Sequence, residues 1–460
     1  MALDLARYAR HDDRQSDRTG WLILVVALVV GLALRLWVIL HGVEVADVQH
    51  LHGIGRYFLE GKNPYRLPPF ESNFPPIALY LEAAAVLAST ATKIPFYVLF
   101  KFWPLASDLG TTLVIFFLLR QHGRSVRWAA IWASIFILNP VSILITAAHG
   151  NLDPVSNFFS VLALALIVWN PGRLFAWSAL ALGVAIGVKP NPVLLVPILA
   201  GYPGLSVRNR IAFCAVCALP AGLTFIPFFI DTPSGVIGNV FGYTGELDFG
   251  YAAIVRLLWY FKTGSLNLPG TVPMDLSITR LTFVAAYLAL LAHATGRVHP
   301  ARIVMLVYLL FYVLFSGLSA QYFVWIVPFA VIVGDWLVLA YSAWATIGLV
   351  GFYVFFWPPI LFGDLFTLPD QLPRMAPFYF RSMVAMWGGN VVWLVVALRN
   401  LIFVEAEGPT PRTSPDAVGK AQKLVDRLRP FAINIAGTIF AFSLIPVIRI
   451  VAFMIEALRE

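Results

Sequence analysis

A chain of 460 residues that is 60% apolar, 14% aromatic and only 12% charged is not a soluble protein, in which about a quarter of residues are charged. Its net charge of +8 is no sign of nucleic-acid binding, because membrane proteins keep Lys and Arg in their cytoplasmic loops. Apolar stretches of about the 20 residues needed to cross a hydrocarbon core of about 30 Å recur along the whole chain. The expected fold class is therefore all-α: a polytopic transmembrane helical bundle of about 11 to 13 spans.

Residues 1–20 form a basic leader with Arg7, Arg10, Arg14 and Arg18. The apolar run behind it continues past Arg35 to Leu40 with no small-residue cleavage site, so it is expected to be an uncleaved first span with a cytoplasmic N-terminus. Residues 41–76 follow as a polar, Pro-rich first outer loop, expected to carry short interfacial helices. Between residues 76 and 120 the alternation fails, since two spans there would leave Arg120, Arg124 and Arg127 outside. Either 76–92 does not fully cross, or 94–120 breaks at Pro104, where proline removes a helix hydrogen bond.

Beyond residue 127 the spans alternate. One ends at His149, one returns to Trp169, and a third rises from the Arg173 loop to Lys189. A descent through VLLVPILA meets the basic loop of Arg208 and Arg210, and 211–230 goes out again. Residues 231–276 make a later outer loop in which 251–262 reads as an interfacial or re-entrant helix. Spans near 277–295, 303–317, 322–337, 338–358 and 382–404 complete a bundle over 21–404. The polar stretch 405–430, with the basic amphipathic AVGKAQKLVDRLR, is expected to lie on the inner leaflet as a cytoplasmic segment, and 431–460 supplies the last transmembrane helix. Cys214 and Cys217 form a C-x-x-C without a neighbouring His or further Cys, and are read as two small core residues.

Ionisable groups at the mouth of an apolar bundle are costly unless solvated or used. The first outer loop concentrates them: Glu44, Asp47, His50, His52, Arg56, Glu60, Lys62 and Arg66. Asp47, just past the first span, suits a general base if its pKa lies near the working range; an ordinary solvated acid is the equal alternative, and Glu44 is a second candidate acid. Lys101, Asp108, His149, Asp153 and Lys189 interrupt apolar stretches and so should meet a polar interior, a partner or a ligand. His149 and Asp153 offer two ligands, short of a metal set; the other reading has Asp153 capping the following span. Tyr243, Glu246 and Asp248, and later Gln321, Tyr322 and Trp325, sit at outer boundaries, where polar-tipped aromatics suit sugar faces and lipid headgroups alike.

These segments together resemble the GT-C superfamily of membrane glycosyltransferases, in particular its polyprenol-phosphate mannosyltransferases. The resemblance rests on Asp47, GKNPY (Gly61 to Tyr65) and FPP (Phe74 to Pro76), followed by Lys101 to Leu109 for a K…D-L segment. Asn139, Pro140, His149, Gly150 and Asp153 match N-P…H-G-x-x-D; Lys189 to Pro192 and Gln321 to Pro328 match K-P-x-P and Q-Y-x-x-W-x-x-P. The matches run in the family's order from about residue 44 to 328. Asn151 stands where the family commonly has Gln or Phe. Glu44 and Asp47 form E-x-x-D where some members have D-x-D, which leaves metal use and donor identity open.

The resemblance implies a hexose, mannose by default, moved with inversion from a polyprenyl-phosphate-sugar donor to a lipid-linked or cell-envelope glycan acceptor. Asp47 would be the catalytic base. Lys189, His149, Arg56 and Arg66 are the candidates to meet the phosphate, with Tyr65, Asp153, Tyr243, Gln321 and Tyr322 as further substrate contacts. No cofactor is required; a divalent cation is possible but not expected. The expected partners are the donor, a glycolipid or glycan acceptor and membrane lipid, with no nucleic acid. The expected place is the plasma (inner) membrane, with the active site on the extracytoplasmic side. The rival reading is a transporter or flippase of lipid-linked sugars, which would favour inverted repeats that are not visible here. A polymerase or ligase using a diphosphate-linked donor would carry its main loop late, whereas here the richest loop comes first.

Overall fold

The computed structural model describes residues 2–243, 245–362, 372–403 and 415–459. Among the described residues the chain is helical, with one isolated bridge between Leu247 and Leu318 and no named strand. Among the described residues eight helices are long and apolar enough to cross a membrane, the first over Asp17–His41 and the last over Ile433–Ala457; the pair Val126–Ile137 and Pro140–His149, bent by 43°, makes a ninth if it is counted as one span. Leu22, Val29, Trp37, Ile230 and Phe442 are among many large apolar side chains left exposed on these helices. On a soluble domain so much apolar surface would be anomalous; on lipid-facing helices it is required. The chain is an integral membrane protein. The expected total of about 11 to 13 spans is reached only if two to four of the five shorter apolar helices also cross.

The segment where the alternation fails has a simple geometry. Helix Pro76–Thr92 has 17 residues, about 25 Å at 1.5 Å per residue, short of the core. Its start lies against Gly187, just before Lys189, through Ile77. Its end leads to Phe96, whose ring stacks on His52 at 4.4 Å. Both ends therefore lie at the Asp47 end of the bundle, and this helix does not cross; its middle packs on Gly55 of helix Ala46–Leu59 through Glu82 and Val86. The following span, Phe96–Gln121, is interrupted at Lys101, between helices Phe96–Phe100 and Phe102–Gln121. Pro104 explains the break, because it offers no N–H to the Phe100 carbonyl and its ring crowds that position.

A buried ion pair fastens the first span to its neighbours. Arg35 and Asp108 are 0% and 1% exposed and meet at 2.9 Å. The same carboxylate oxygen accepts hydrogen bonds from Ser142 at 2.7 Å and Thr146 at 2.6 Å, while Arg35 also donates to the carbonyls of Gly31 and Ile137. Ile137 ends the first half of the bent pair. Pro140 forbids a straight continuation, and Asn139 caps the second half through Val141 N–H at 3.0 Å. That half widens into a π-helical turn, Leu144–His149, a geometry frequent at functional sites. It closes at Gly150, whose φ of +79° favours glycine and whose missing Cβ makes room for the Lys101 side chain. Lys101 donates to the Ala148 carbonyl at 2.9 Å and so fixes the turn that presents His149.

Helix Gly250–Thr263 corresponds to the element expected at 251–262, and the last helix packs on Val272–Ala294. Of the polar stretch expected at 405–430, residues 405–414 and the side chains up to 429 lie outside the described residues; its backbone from Pro415 begins helix Pro415–Arg459.

Candidate active site

At the Asp47 end a cavity of about 350 Å³ opens between the segment 41–76, the turns after His149 and Lys189, the loop around Glu246, and the segments at Gln321 and Tyr353. Asp47 stands in the first turn of helix Ala46–Leu59, where the helix dipole favours an anion. Val48, Leu51, Ile54 and Gly55 form that helix's buried stripe, so Asp47 is turned toward the cavity. Its Oδ2 lies 3.1 Å from His149 Nε2, and His149 Nδ1 lies 3.0 Å from the Tyr353 hydroxyl. Solvent reaches the carboxylate, 54% exposed, while His149 is 7% exposed. The surrounding walls push its pKa up, but the hydrogen bond from His149 outweighs them, together with the positive charges of His149 when protonated, Lys189 and His50. The carboxyl stays below its ordinary value.

Lys189 is placed by proline. Helix Pro171–Val188 ends because the residue before Pro190 is driven into extended backbone. Its ammonium lies 3.9 Å from the centre of the Phe74 ring and 3.3 Å from Asp153 Oδ2. Asp153 is fully buried and accepts a hydrogen bond from Trp325 Nε1 at 2.7 Å on its other oxygen. It does not cap helix Asp153–Trp169, as one reading of the sequence has it: Leu152 holds the cap position and Asp153 already lies in the first turn.

The facing wall is acidic and aromatic. The Leu318 N–H donates to the Glu246 carbonyl at 2.8 Å, and Asp248 pairs with Arg256 at 2.7 Å while its carbonyl accepts from the Tyr379 hydroxyl. Burial, opposed by Arg256 and reinforced by Glu246, pushes the Asp248 carboxyl up to about 6. Burial, aided by Glu246, pushes the Tyr243 hydroxyl up to about 12. Tyr322 and Trp325 stack at 4.2 Å beside Gln321. Among the described residues no three His, Cys, Asp or Glu side chains come together as a metal-ligand set.

No family model and no curated protein sequence matches the chain. Solved structures similar to it include two of one protein. One is ArnT from Cupriavidus metallidurans bound to undecaprenyl phosphate, with 15% identity and a TM-score of 0.47. The other is the same protein in the apo state, with 17% identity and a TM-score of 0.44. Each similarity covers 82% of this chain and 77% of ArnT. Likeness at that level gives no residue a role.

Of the residues singled out in the sequence, Asp47, His149, Lys189, Tyr243, Gln321 and Tyr322 line the cavity, and Asp153 lies directly behind Lys189. Glu44, Arg56, Tyr65 and Arg66 do not line it. Glu44 keeps one buried oxygen without a hydrogen-bond partner among the described residues, and Arg56 is exposed on helix Ala46–Leu59. Tyr65 is fully buried, donates to the Phe74 carbonyl at 2.7 Å and packs edge-on against Phe228. Arg66 is bound to Asp231, which Asn63 also holds at 2.6 Å, so the GKNPY segment ties the segment 41–76 to the end of helix Val207–Asp231. Tyr353 was not singled out. It is one aromatic among many in an apolar span, and only the fold brings it to His149.

Proposed function

We propose that this protein is an inverting membrane glycosyltransferase of the GT-C type, which moves a hexose from a polyprenyl-phosphate-sugar donor to a lipid-linked or cell-envelope glycan. The observation that carries the reading is Asp47: a water-accessible carboxylate with a depressed pKa, sharing one aromatic-walled cavity with the buried ammonium of Lys189. Asp47 takes the proton from an acceptor hydroxyl as that oxygen attacks the anomeric carbon from the face opposite the phosphate. The bond from that carbon to the phosphate oxygen breaks, and its electron pair leaves with polyprenyl phosphate. Lys189, already fixed by Asp153, stabilises the charge that develops there, and a preorganised cation in a dry wall is most effective at that moment. A phosphate leaving group of low basicity needs no metal, so none is assigned. Mannose is the default sugar from the sequence resemblance.

The orientation follows from charge. Gly20 lies against Val126 and Arg127, His122 against His299, Gly201 against Thr295, and Gly204 against Pro171. These contacts gather Arg124, Arg127, Arg173, Arg208, Arg297 and Arg302 at the end opposite Asp47. By the positive-inside rule that end is cytoplasmic, and the cavity opens outward across the plasma membrane.

The test incubates purified protein with a panel of radiolabelled polyprenyl-phosphate sugars and extracted envelope acceptors, and identifies labelled product by mass. Asp47→Asn should remain folded and donor-binding while turnover falls by about 10²-fold or more. Wild-type turnover in that variant, or transport without any covalent product, would overturn the proposal.

A further inference from the structure

Asp47, His149 and Tyr353 form a chain of hydrogen bonds that goes deeper than the proposed base itself. The contacts are 3.1 Å from Asp47 Oδ2 to His149 Nε2 and 3.0 Å from His149 Nδ1 to the Tyr353 hydroxyl. An ionised carboxylate only accepts, so Nε2 must carry a hydrogen. Two states of the ring satisfy that requirement, and Tyr353 separates them. In the neutral ring Nδ1 is bare and accepts the phenolic hydrogen, so every member is used. In the imidazolium Nδ1–H donates to the phenolic oxygen, and the tyrosine's own hydrogen is left without an acceptor. Tyr353 is 1% exposed, and no second partner for its hydroxyl is seen among the described residues. An unmade hydrogen bond at a buried donor is costly, which disfavours the charged ring.

We infer that Tyr353 is a positioning residue: its hydroxyl holds His149 as the neutral Nε2–H tautomer, and His149 thereby serves the Asp47 carboxylate rather than the phosphate. The inference rests on Asp47 being the base. Its consequence is directional. His149 occupies Oδ2, and Oδ1, for which no hydrogen bond is seen among the described residues, is the oxygen left for the acceptor hydroxyl. Lys189, in the same cavity and held by Asp153 rather than by a hydrogen bond to the base, then faces the phosphate.

The test is a double-mutant cycle with steady-state kinetics in detergent. Gln at position 149 carries an N–H that can reach Asp47 and has no second ring nitrogen for Tyr353 to orient. Tyr353→Phe alone should lower kcat about tenfold with the donor KM little changed, as loss of one oriented hydrogen bond predicts. His149→Gln should keep far more turnover than His149→Ala, and adding Tyr353→Phe to His149→Gln should cost nothing further. An equal loss from Tyr353→Phe in both backgrounds would reduce Tyr353 to packing. His149→Gln as inactive as His149→Ala would remove the donor role whether or not the tyrosine variant folds. Asp47→Asn measured alongside separates the two ideas: full activity there sinks the base assignment itself, whereas an inactive Asp47→Asn with an unaffected Tyr353→Phe sinks only the positioning role.

Discussion

Replacing Asp108 by Leu strands a guanidinium inside the bundle. Arg35 is wholly buried, and its Nε and Nη2 both point at Asp108 Oδ2, at 3.1 and 2.9 Å. The Gly31 and Ile137 carbonyls satisfy only Nη1, and Ser142 still accepts from Nη2 at 2.7 Å. Breaking a buried pair by removing one partner costs about 3–5 kcal/mol, because the other charge stays uncompensated. The hydroxyls of Ser142 and Thr146 lose their acceptor as well, at about 0.6 kcal/mol each on the scale measured for polar contacts between membrane helices. The expected loss for Asp108→Leu is thus about 4–6 kcal/mol. Arg35→Met with Asp108→Leu should recover most of it, since an apolar pair of similar volume needs no counter-charge. Unfolding in mixed micelles followed by tryptophan fluorescence measures both. The same variants should report on turnover, because Ser142 and Thr146 lie on the bent helix and the π-helical turn that carry His149. A single variant within about 1 kcal/mol of wild type, or a double no more stable than the single, would refute the view that this pair is a structural staple.

Lys189→Met should lower kcat/KM for the lipid donor about 100-fold, with partial recovery in Lys189→Arg, as expected for a cation placed where charge develops. Arg66→Ala should change it less than about twofold, because Arg66 is spent on Asp231 in an exposed ion pair, a kind worth about 0–1 kcal/mol; a large loss would put Arg66 back in the site. Asp248 takes up its proton as pH falls through about 6 and then loses its charge pairing with Arg256. Activity should therefore decline on the acid side near pH 6, and Asp248→Asn should abolish that inflection, leaving only the limb from Asp47, which lies below the ordinary carboxylate range.

The sequence is most legible where one physical cause suffices. Apolar run length locates Val272–Ala294 and Leu337–Phe356 near the expected 277–295 and 338–358, whereas the spans expected at 303–317 and 322–337 fall on the shorter apolar helices Pro300–Leu314 and Ala320–Val333. It is less legible over 76–92, because an apolar helix buried under a neighbouring loop helix reads like one immersed in lipid. Only the contacts of Ile77 with Gly187 and of Phe96 with His52 separate the two cases. Within the first outer loop, charge density brought together residues with different fates. Asp47 enters the cavity while Arg56 and Arg66 do not, since a helical turn divides residues about 100° per step and the loop's own clamp at Asn63 turns Arg66 toward Asp231. Tyr353 carries no local signal at all, being defined by a partner more than 200 positions away.

Buried charge alone does not mark chemistry in this molecule; the occupancy of each carboxylate does. Asp108 gathers Arg35, Ser142 and Thr146 on one oxygen, and Asp153 divides its two between Trp325 and Lys189. Both are buried, at 1% and 0% exposure, so neither can receive a proton from an incoming hydroxyl without first breaking the fold around it. Glu82 is the opposite extreme: it is fully buried with no hydrogen-bond partner on either oxygen among the described residues, a setting that holds a carboxyl as its neutral acid and removes it as a base. Asp47 lies between these extremes, with one donor, a depressed pKa and an open side. That intermediate occupancy is what a base needs, because it must be charged before the substrate arrives and still have an oxygen to offer.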